Sequence, residues 1–254
     1  MTTYLIIGGA AFVAGAINSI AGGGTLISFP ALMYIGVSPV MANATNTVAI
    51  WPGSFAGVLG FREDIKKLPR WLLWLVIPSL LGGIAGAMIL LRTPEKTFAR
   101  IVPLLILGAT LLLAAQEMIS RRLNRFVSSS HGRPSRGWII FAFTFQFFVS
   151  VYGGYFGAGM GILMLAALGL IGMQDLHQMN GLKNLLAICL NGVAAIYFAM
   201  QGAVVWTDVL IMALASIIGG FTGARLAHRL GRKFVRGAVV VIGLTMTVVL
   251  FLKR

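Results

Sequence analysis

An all-α polytopic membrane protein built from two inverted-topology repeats is the fold class this sequence predicts, on three observations. Its 254 residues are 58% apolar and only 10% charged, more hydrocarbon than a water-soluble core can hide beneath a polar surface. Several apolar stretches, Trp71–Leu91 and Trp206–Ala224 among them, approach or reach the roughly 20 residues a helix needs to cross about 30 Å of hydrocarbon. The second half of the chain also repeats the first, in the same order.

Apolar runs and the breakers between them predict about five helical segments per repeat: 4–20, 25–36, 40–60, 71–91 and 98–119, then 138–156, 160–171, 178–200, 206–225 and 236–252. The run from Tyr4 lacks the basic n-region of a signal peptide and continues straight into asparagine and glycine, so it reads as a retained first helix. Segments 25–36 and 160–171 directly follow glycine clusters. They are too short to span, since about 12 residues at 1.5 Å rise cover roughly 18 Å.

The repeat emerges at a shift of 135 to 138 positions. Ser79-Leu-Leu-Gly-Gly-Ile-Ala-Gly-Ala87 lies over Ser216-Ile-Ile-Gly-Gly-Phe-Thr-Gly-Ala224 with five identities in nine. Gly22-Gly-Gly24 overlies Gly157-Ala-Gly159, Thr45-Asn46 overlies Lys183-Asn184, and Phe98 with Arg100 overlies Phe234 with Arg236. The domains are therefore a first membrane repeat over 1–119, a basic cytoplasmic linker over 120–137 holding five arginines, and a second repeat over 138–254.

Charge sets the orientation. The net charge of +14 lies almost entirely in the breaks between apolar segments, where topology explains it and no nucleic-acid partner is expected. If each half crosses an odd number of times, 61–70, 120–137, 172–183 and 225–236 share one side and carry 4, 5, 1 and 5 basic residues, 15 in all. The other side then has three in 92–100 and two at the C-terminus, whereas an even number gives 9 against 11. The positive-inside rule selects the odd number. That choice inverts the halves and puts both termini in the periplasm of a bacterial inner membrane.

Each half opens on a polar, glycine-rich cluster: Asn18-Ser-Ile-Ala-Gly-Gly-Gly-Thr25 and Tyr152-Gly-Gly-Tyr-Phe-Gly-Ala-Gly159. Glycine runs break membrane helices, and unwound backbone at that depth survives only against protein or a water-filled cavity. The short helix after each break offers N–H groups and a positive dipole end, which suit an anion. Two such ends are expected to meet near the midplane. The candidate contacts there are Asn18, Gly22, Gly23, Gly24 and Thr25, with Gly157, Ala158 and Gly159. Gly82 with Gly86, and Gly219 with Gly223, read instead as close helix packing.

The second cluster starts the following helix: Asn43-Ala-Thr-Asn-Thr47 and Asn180-Gly-Leu-Lys-Asn184. Polar residues in an apolar run are expensive in lipid and should face a cavity, which adds Thr45, Asn46, Lys183 and Asn184 to the candidate site. Lys183 is the only basic residue between Arg136 and Arg225. It is either the ammonium that neutralises an anion or a lysine snorkelling to the headgroups. Asp175 and His177 read as solvated loop residues, Glu117 as an i, i+4 partner of Arg121. Gln146 and Asn191 either line the path or bond between helices.

No serine, histidine and carboxylate constellation, no metal-spaced His or Cys pair and no nucleotide-binding glycine loop is present. No enzyme activity, cofactor or metal is expected, and Cys189 sits alone in an apolar segment. Taken together, Gly15-Ala-Ile-Asn-Ser-Ile-Ala-Gly-Gly-Gly-Thr25, Asn43-Ala-Thr-Asn-Thr47, Gly154-Tyr-Phe-Gly-Ala-Gly159 and Asn180-Gly-Leu-Lys-Asn184 resemble the sulfite exporter TauE/SafE family over nearly the whole chain. Ala158 departs from the glycine common at that position. The resemblance implies an inner-membrane permease exporting a sulfur-containing or organosulfur anion. Its partners would be that small anion and the lipid bilayer, and the reading admits a homo-oligomer. An anion channel and a non-transporting assembly subunit are the rival readings.

Overall fold

The computed structural model describes residues 2–20, 23–127, 136–171, 173, 175–230 and 232–252, and among them every regular element is a helix. The first half contains α1 (Thr2–Ile20), α2 (Thr25–Tyr34), α3 (Pro39–Ile50), α4 (Ser54–Gly60), α5 (Arg62–Lys66), α6 (Arg70–Leu73), α7 (Val76–Arg92) and α8 (Glu95–Val127). The second contains α9 (Arg136–Tyr155), α10 (Met160–Leu170), α11 (Leu176–Met200), α12 (Trp206–Leu230) and α13 (Arg232–Leu252). Arg70–Arg92, Glu95–Ile119, His177–Met200 and Val235–Leu252 have the length and apolarity to cross a membrane. Large apolar side chains such as Leu81, Leu214 and Val241 point outward, 58%, 64% and 63% exposed, a surface suited to lipid.

Several expected boundaries move. The segment over 40–60 divides into α3 and α4 at Trp51-Pro52-Gly53, where proline lacks the N–H and crowds the carbonyl four residues back. The segment over 71–91 divides at Trp74–Leu75; α7 restarts at Val76, which leaves Pro78 in a first turn that needs no donor from it. Helix α8 runs on through Val127, past the expected end at 119 and into the linker, because arginine and leucine are good helix formers whatever their solvent. α9 likewise begins inside the expected linker, at Arg136. Linker residues 128–135 lie outside the described residues. The short segments are short helices, of 10 residues in α2 and 11 in α10.

The helices pack in matched pairs. α1 lies on α12 and α9 on α7, so each half's first helix packs against the other half. α3 also packs on α12 as α11 does on α7, while α8 and α13 pack on each other. Glycines make these seams tight: a Cβ on Gly82 would stand 2.5 Å from the Phe147 carbonyl oxygen, and one on Gly219 would overlap that of Phe12. Gly82 and Gly219, and likewise Phe147 and Phe12, are separated by the sequence shift that relates the halves. Gly86 is similarly closed against the Val151 carbonyl. These three glycines pack helices, as the small-residue pattern predicts.

The starts of α3 and α11 are held by different parts of the chain. Ser38 Oγ donates to Glu95 Oε1 at 2.7 Å and Val40 N–H to Glu95 Oε2 at 3.4 Å, so α3 begins beside the start of α8. Asp175 Oδ1 caps α11 by accepting from the N–H groups of His177 (2.8 Å) and Gln178 (3.2 Å). The His177 ring faces Phe61 at 6.2 Å, which sets the start of α11 beside α5. Glu117 forms its ion pair with Arg236 at 2.7 Å, joining the far end of α8 to the start of α13. This partner lies across the fold; the side chain of Arg121, the partner expected from spacing, lies outside what is described.

Candidate functional site

The first break is built by Asn18 with Gly23 and Gly24. Gly23 takes φ 94°, a left-handed conformation glycine adopts without strain. The buried Gly24 then donates its N–H to Asn18 Oδ1 at 2.8 Å. A Cβ on Gly24 would run into the Ala14 carbonyl and stand 2.9 Å from Asn18 Cγ, so this close approach needs glycine. The first turn of α2 is already partly closed: Leu26 N–H donates to Gly23 O (3.0 Å), and Ile27 N–H (2.9 Å) and Ser28 N–H (3.1 Å) to Gly24 O. Asn18 thus occupies a donor that an anion could use, and it acts here by shaping the break. Thr25 is half-buried at the head of α2. Gly22 lies outside the described residues.

In the second break, Gly157 and Gly159 take φ 76° and 75°. The Tyr152 hydroxyl donates to the carbonyl of buried Ala158 at 2.6 Å. Tyr152 also accepts at its own carbonyl from Phe156 N–H (2.9 Å) and Gly157 N–H (3.2 Å), ending α9. Helix α10 starts immediately beyond, with Met160 N–H on Gly157 O at 3.2 Å.

Both breaks lie against α8, one turn apart. A Cβ on Gly23 would sit 3.2 Å from Leu113 and 3.5 Å from Val239 of α13. One on Gly159 would sit 3.4 Å from Ala109. The breaks are joined further by Phe29 of α2, whose ring meets Phe156 edge-on at 5.5 Å. Gly243 of α13 closes on Thr110 of α8 between these points. The expected juxtaposition of two interrupted helices is therefore present, with α8 as the floor on which they meet.

The helices following the breaks carry the remaining candidates. Thr45, fully buried, accepts at Oγ1 from Val205 N–H at 3.0 Å, which ties α3 to the start of α12. Asn46 is buried with no hydrogen bond at its amide oxygen from any described residue. Lys183 is half-buried; its Nζ donates to Asn180 Oδ1 at 3.1 Å, and its Cδ would lie 3.5 Å from a Cβ on Gly161, in the first turn of α10. The lysine stem thus lies against the first turn of the short helix after the second break. Asn184 is half-buried beside it in sequence.

Two residues outside the sequence-based set tie these helices together. Asn43 donates through Nδ2 to the Tyr155 carbonyl at 2.9 Å, linking α3 to the end of α9. The signal was its place in the same polar cluster as Thr45 and Asn46. The Trp51 indole N–H donates to Ile188 O at 3.1 Å and its ring rests on Gly192, 3.0 Å from where a Cβ would stand. No local pattern announces that contact. Gln146 bonds between helices, its Nε2 donating to Ser79 Oγ at 2.9 Å and Ser150 Oγ at 3.0 Å. Among the described residues no group of three His, Cys, Asp or Glu could hold a metal.

Comparison with known proteins points the same way. The family model described as sulfite exporter TauE/SafE matches residues 7–250. The chain is 30% identical to probable membrane transporter protein YfcA of Escherichia coli over 97% of this chain and 90% of that protein. It is 28% identical to a probable membrane transporter protein of Haemophilus influenzae, over 93% of this chain and 89% of the other. Against the probable membrane transporter protein ORF9 of a Sinorhizobium species it is 28% identical, covering 94% and 88%. No solved structure matches the chain.

Proposed function

We propose that this chain, which belongs to the sulfite exporter TauE/SafE family, is a secondary transporter that exports a small sulfur-containing or organosulfur anion such as sulfite, thiosulfate or a sulfonate. The observation that carries the reading is the meeting of the two glycine breaks on Ala109 and Leu113 of α8. A short helix leads away from each break, and Lys183 reaches the second of them. Broken-helix amides and one ammonium form an electropositive cradle, and in a medium of low dielectric such fixed dipoles act strongly on a charged oxygen.

The halves are read as inverted, in an inner membrane, with both termini periplasmic. The charge count supports this, and so does the packing. α3 starts beside Glu95, on the side with few basic residues, while its repeat α11 starts beside Phe61 on the basic side. Export then follows from alternating access, one break opening to each face in turn. An inside-negative potential favours expulsion of an anion by about 2.3 kcal/mol per charge per 100 mV, so uniport suffices.

The test is efflux from proteoliposomes loaded with sulfite, thiosulfate or a sulfonate, with the potential clamped. Saturable efflux of one of these anions, accelerated by an inside-negative potential and by the same anion outside, is expected. Conduction far faster and without trans-stimulation would make the protein a channel, and no flux of any of the three would overturn the reading.

A further inference from the structure

We infer that Asn43 and Asn46 form a binding site for a monovalent cation, sodium, at the C-terminal end of α9. Both side chains are 1% exposed on α3, and residues three apart on a helix are neighbours on one face. Asn43 Nδ2 donates to the Tyr155 carbonyl, which fixes its other amide atom as the oxygen. That oxygen and Asn46 Oδ1 are both buried and accept no hydrogen bond from any described residue. A buried acceptor left unpaired is costly, and two together in one motif call for an explanation.

The surroundings select what would satisfy them. Helix α9 ends at Tyr155, and the last carbonyls of a helix carry the negative end of its dipole. Such a set repels an anion and offers its lone pairs to a cation. The ligands available are uncharged amide and carbonyl oxygens, which suit a hard monovalent ion; divalent ions of this kind draw on carboxylates. Helix C-termini and unwound carbonyls serve as sodium ligands in broken-helix architectures generally.

The repeat supplies a second line of argument. At the position of Thr45 the other half has Lys183, a built-in positive charge, and at the position of Asn43 it has Gly181. The first half has Thr45 in place of the lysine, and on the same helix the two oxygens that accept no hydrogen bond from any described residue. A bound sodium would give the first half, like the second, one positive charge on the helix that follows its break.

The purified protein in detergent, with no sulfur anion added, tests this by thermal unfolding in sodium chloride against choline chloride at equal ionic strength. A saturable, sodium-specific rise in melting temperature is expected. Asn46→Leu loses no hydrogen bond from its amide oxygen and should fold, while its sodium midpoint rises at least tenfold; Asn46→Ala gives a second reading of the same effect. Equal melting temperatures of the unaltered protein in sodium and choline, or an undiminished sodium response in either variant, would overturn the site. A sodium response without anion flux would leave this site standing and remove the proposed function, and flux without the response would do the reverse.

Discussion

Asn18→Ala isolates the role of the first break. The substitution removes the acceptor for the Gly24 N–H, a 2.8 Å hydrogen bond inside the turn between α1 and α2. Gly24 is buried, and a buried donor left unpaired costs about 1–3 kcal/mol. If the break must keep this shape to present the head of α2, that energy is lost from the binding-competent state. Apparent anion affinity should then fall between about 5-fold and 150-fold. Asn18→Asp keeps an acceptor at the same place and should stay near the parent. The assay is the dependence of efflux on internal anion concentration in proteoliposomes, with protein content matched by fluorescence-detected size exclusion. Unchanged KM and rate in Asn18→Ala, or an equal loss in Asn18→Asp, would refute the argument that this hydrogen bond shapes the site.

Further outcomes follow from the packing and the charges. Gly219→Val would push two methyl groups and a Cβ into the Phe12 carbonyl, and overpacking of about 1–3 kcal/mol or more should lower the melting temperature in detergent and the yield of monodisperse protein; an unchanged melting temperature would contradict the α1 and α12 seam. Glu117→Gln breaks a pair whose side chains are 23% and 33% exposed, so after solvent screening its loss should cost no more than about 1 kcal/mol, and a fall in stability that persists in molar salt would contradict that estimate. In a Cys189→Ala background, a cysteine at Glu95 should react with an impermeant maleimide added to intact cells, and one at Glu63 only after permeabilisation; the opposite pattern would reverse the orientation.

The sequence carried much of this fold because its strongest signals are local. The glycine clusters at 22–24 and 157–159, each beside a polar or aromatic-rich stretch, mark the breaks, and α2 and α10 begin at the expected starts, whereas the pairs Gly82-Gly83 and Gly219-Gly220 stay inside α7 and α12. The pairing of Gly82 and Gly219 with α9 and α1 was visible only as a small-residue pattern, since spacing names a close contact without naming its partner. Pro52 did end a helix, but Pro30 and Pro103 lie inside α2 and α8, and membrane helices tolerate such prolines when neighbours satisfy the backbone. No rule of sequence separates these cases.

The site was legible in composition and less so in role. Asn18 could be chosen as a polar residue beside a break, but its hydrogen bond to Gly24 depends on the turn that Gly23 makes. Thr45 is spent on Val205, 160 positions away in the chain, and Glu117 on Arg236; both contacts depend on how the halves close on each other. Lys183 was marked by its isolation in charge, and the structure adds the detail that its stem crosses Gly161. Asn43 stood in the quoted motif and became informative only when Tyr155 occupied one of its amide atoms and left the other unpaired.

The central claim is that the two breaks and Lys183 hold an anion. Binding of sulfite, thiosulfate and a sulfonate to purified protein, compared between the parent, Lys183→Ala and Lys183→Arg, tests it most directly. A hydrogen bond to a charged group contributes about 1.5–3 kcal/mol, so Lys183→Ala should weaken binding of the preferred anion by at least tenfold while Lys183→Arg retains most of it. Identical affinities in the parent and Lys183→Ala would contradict the account.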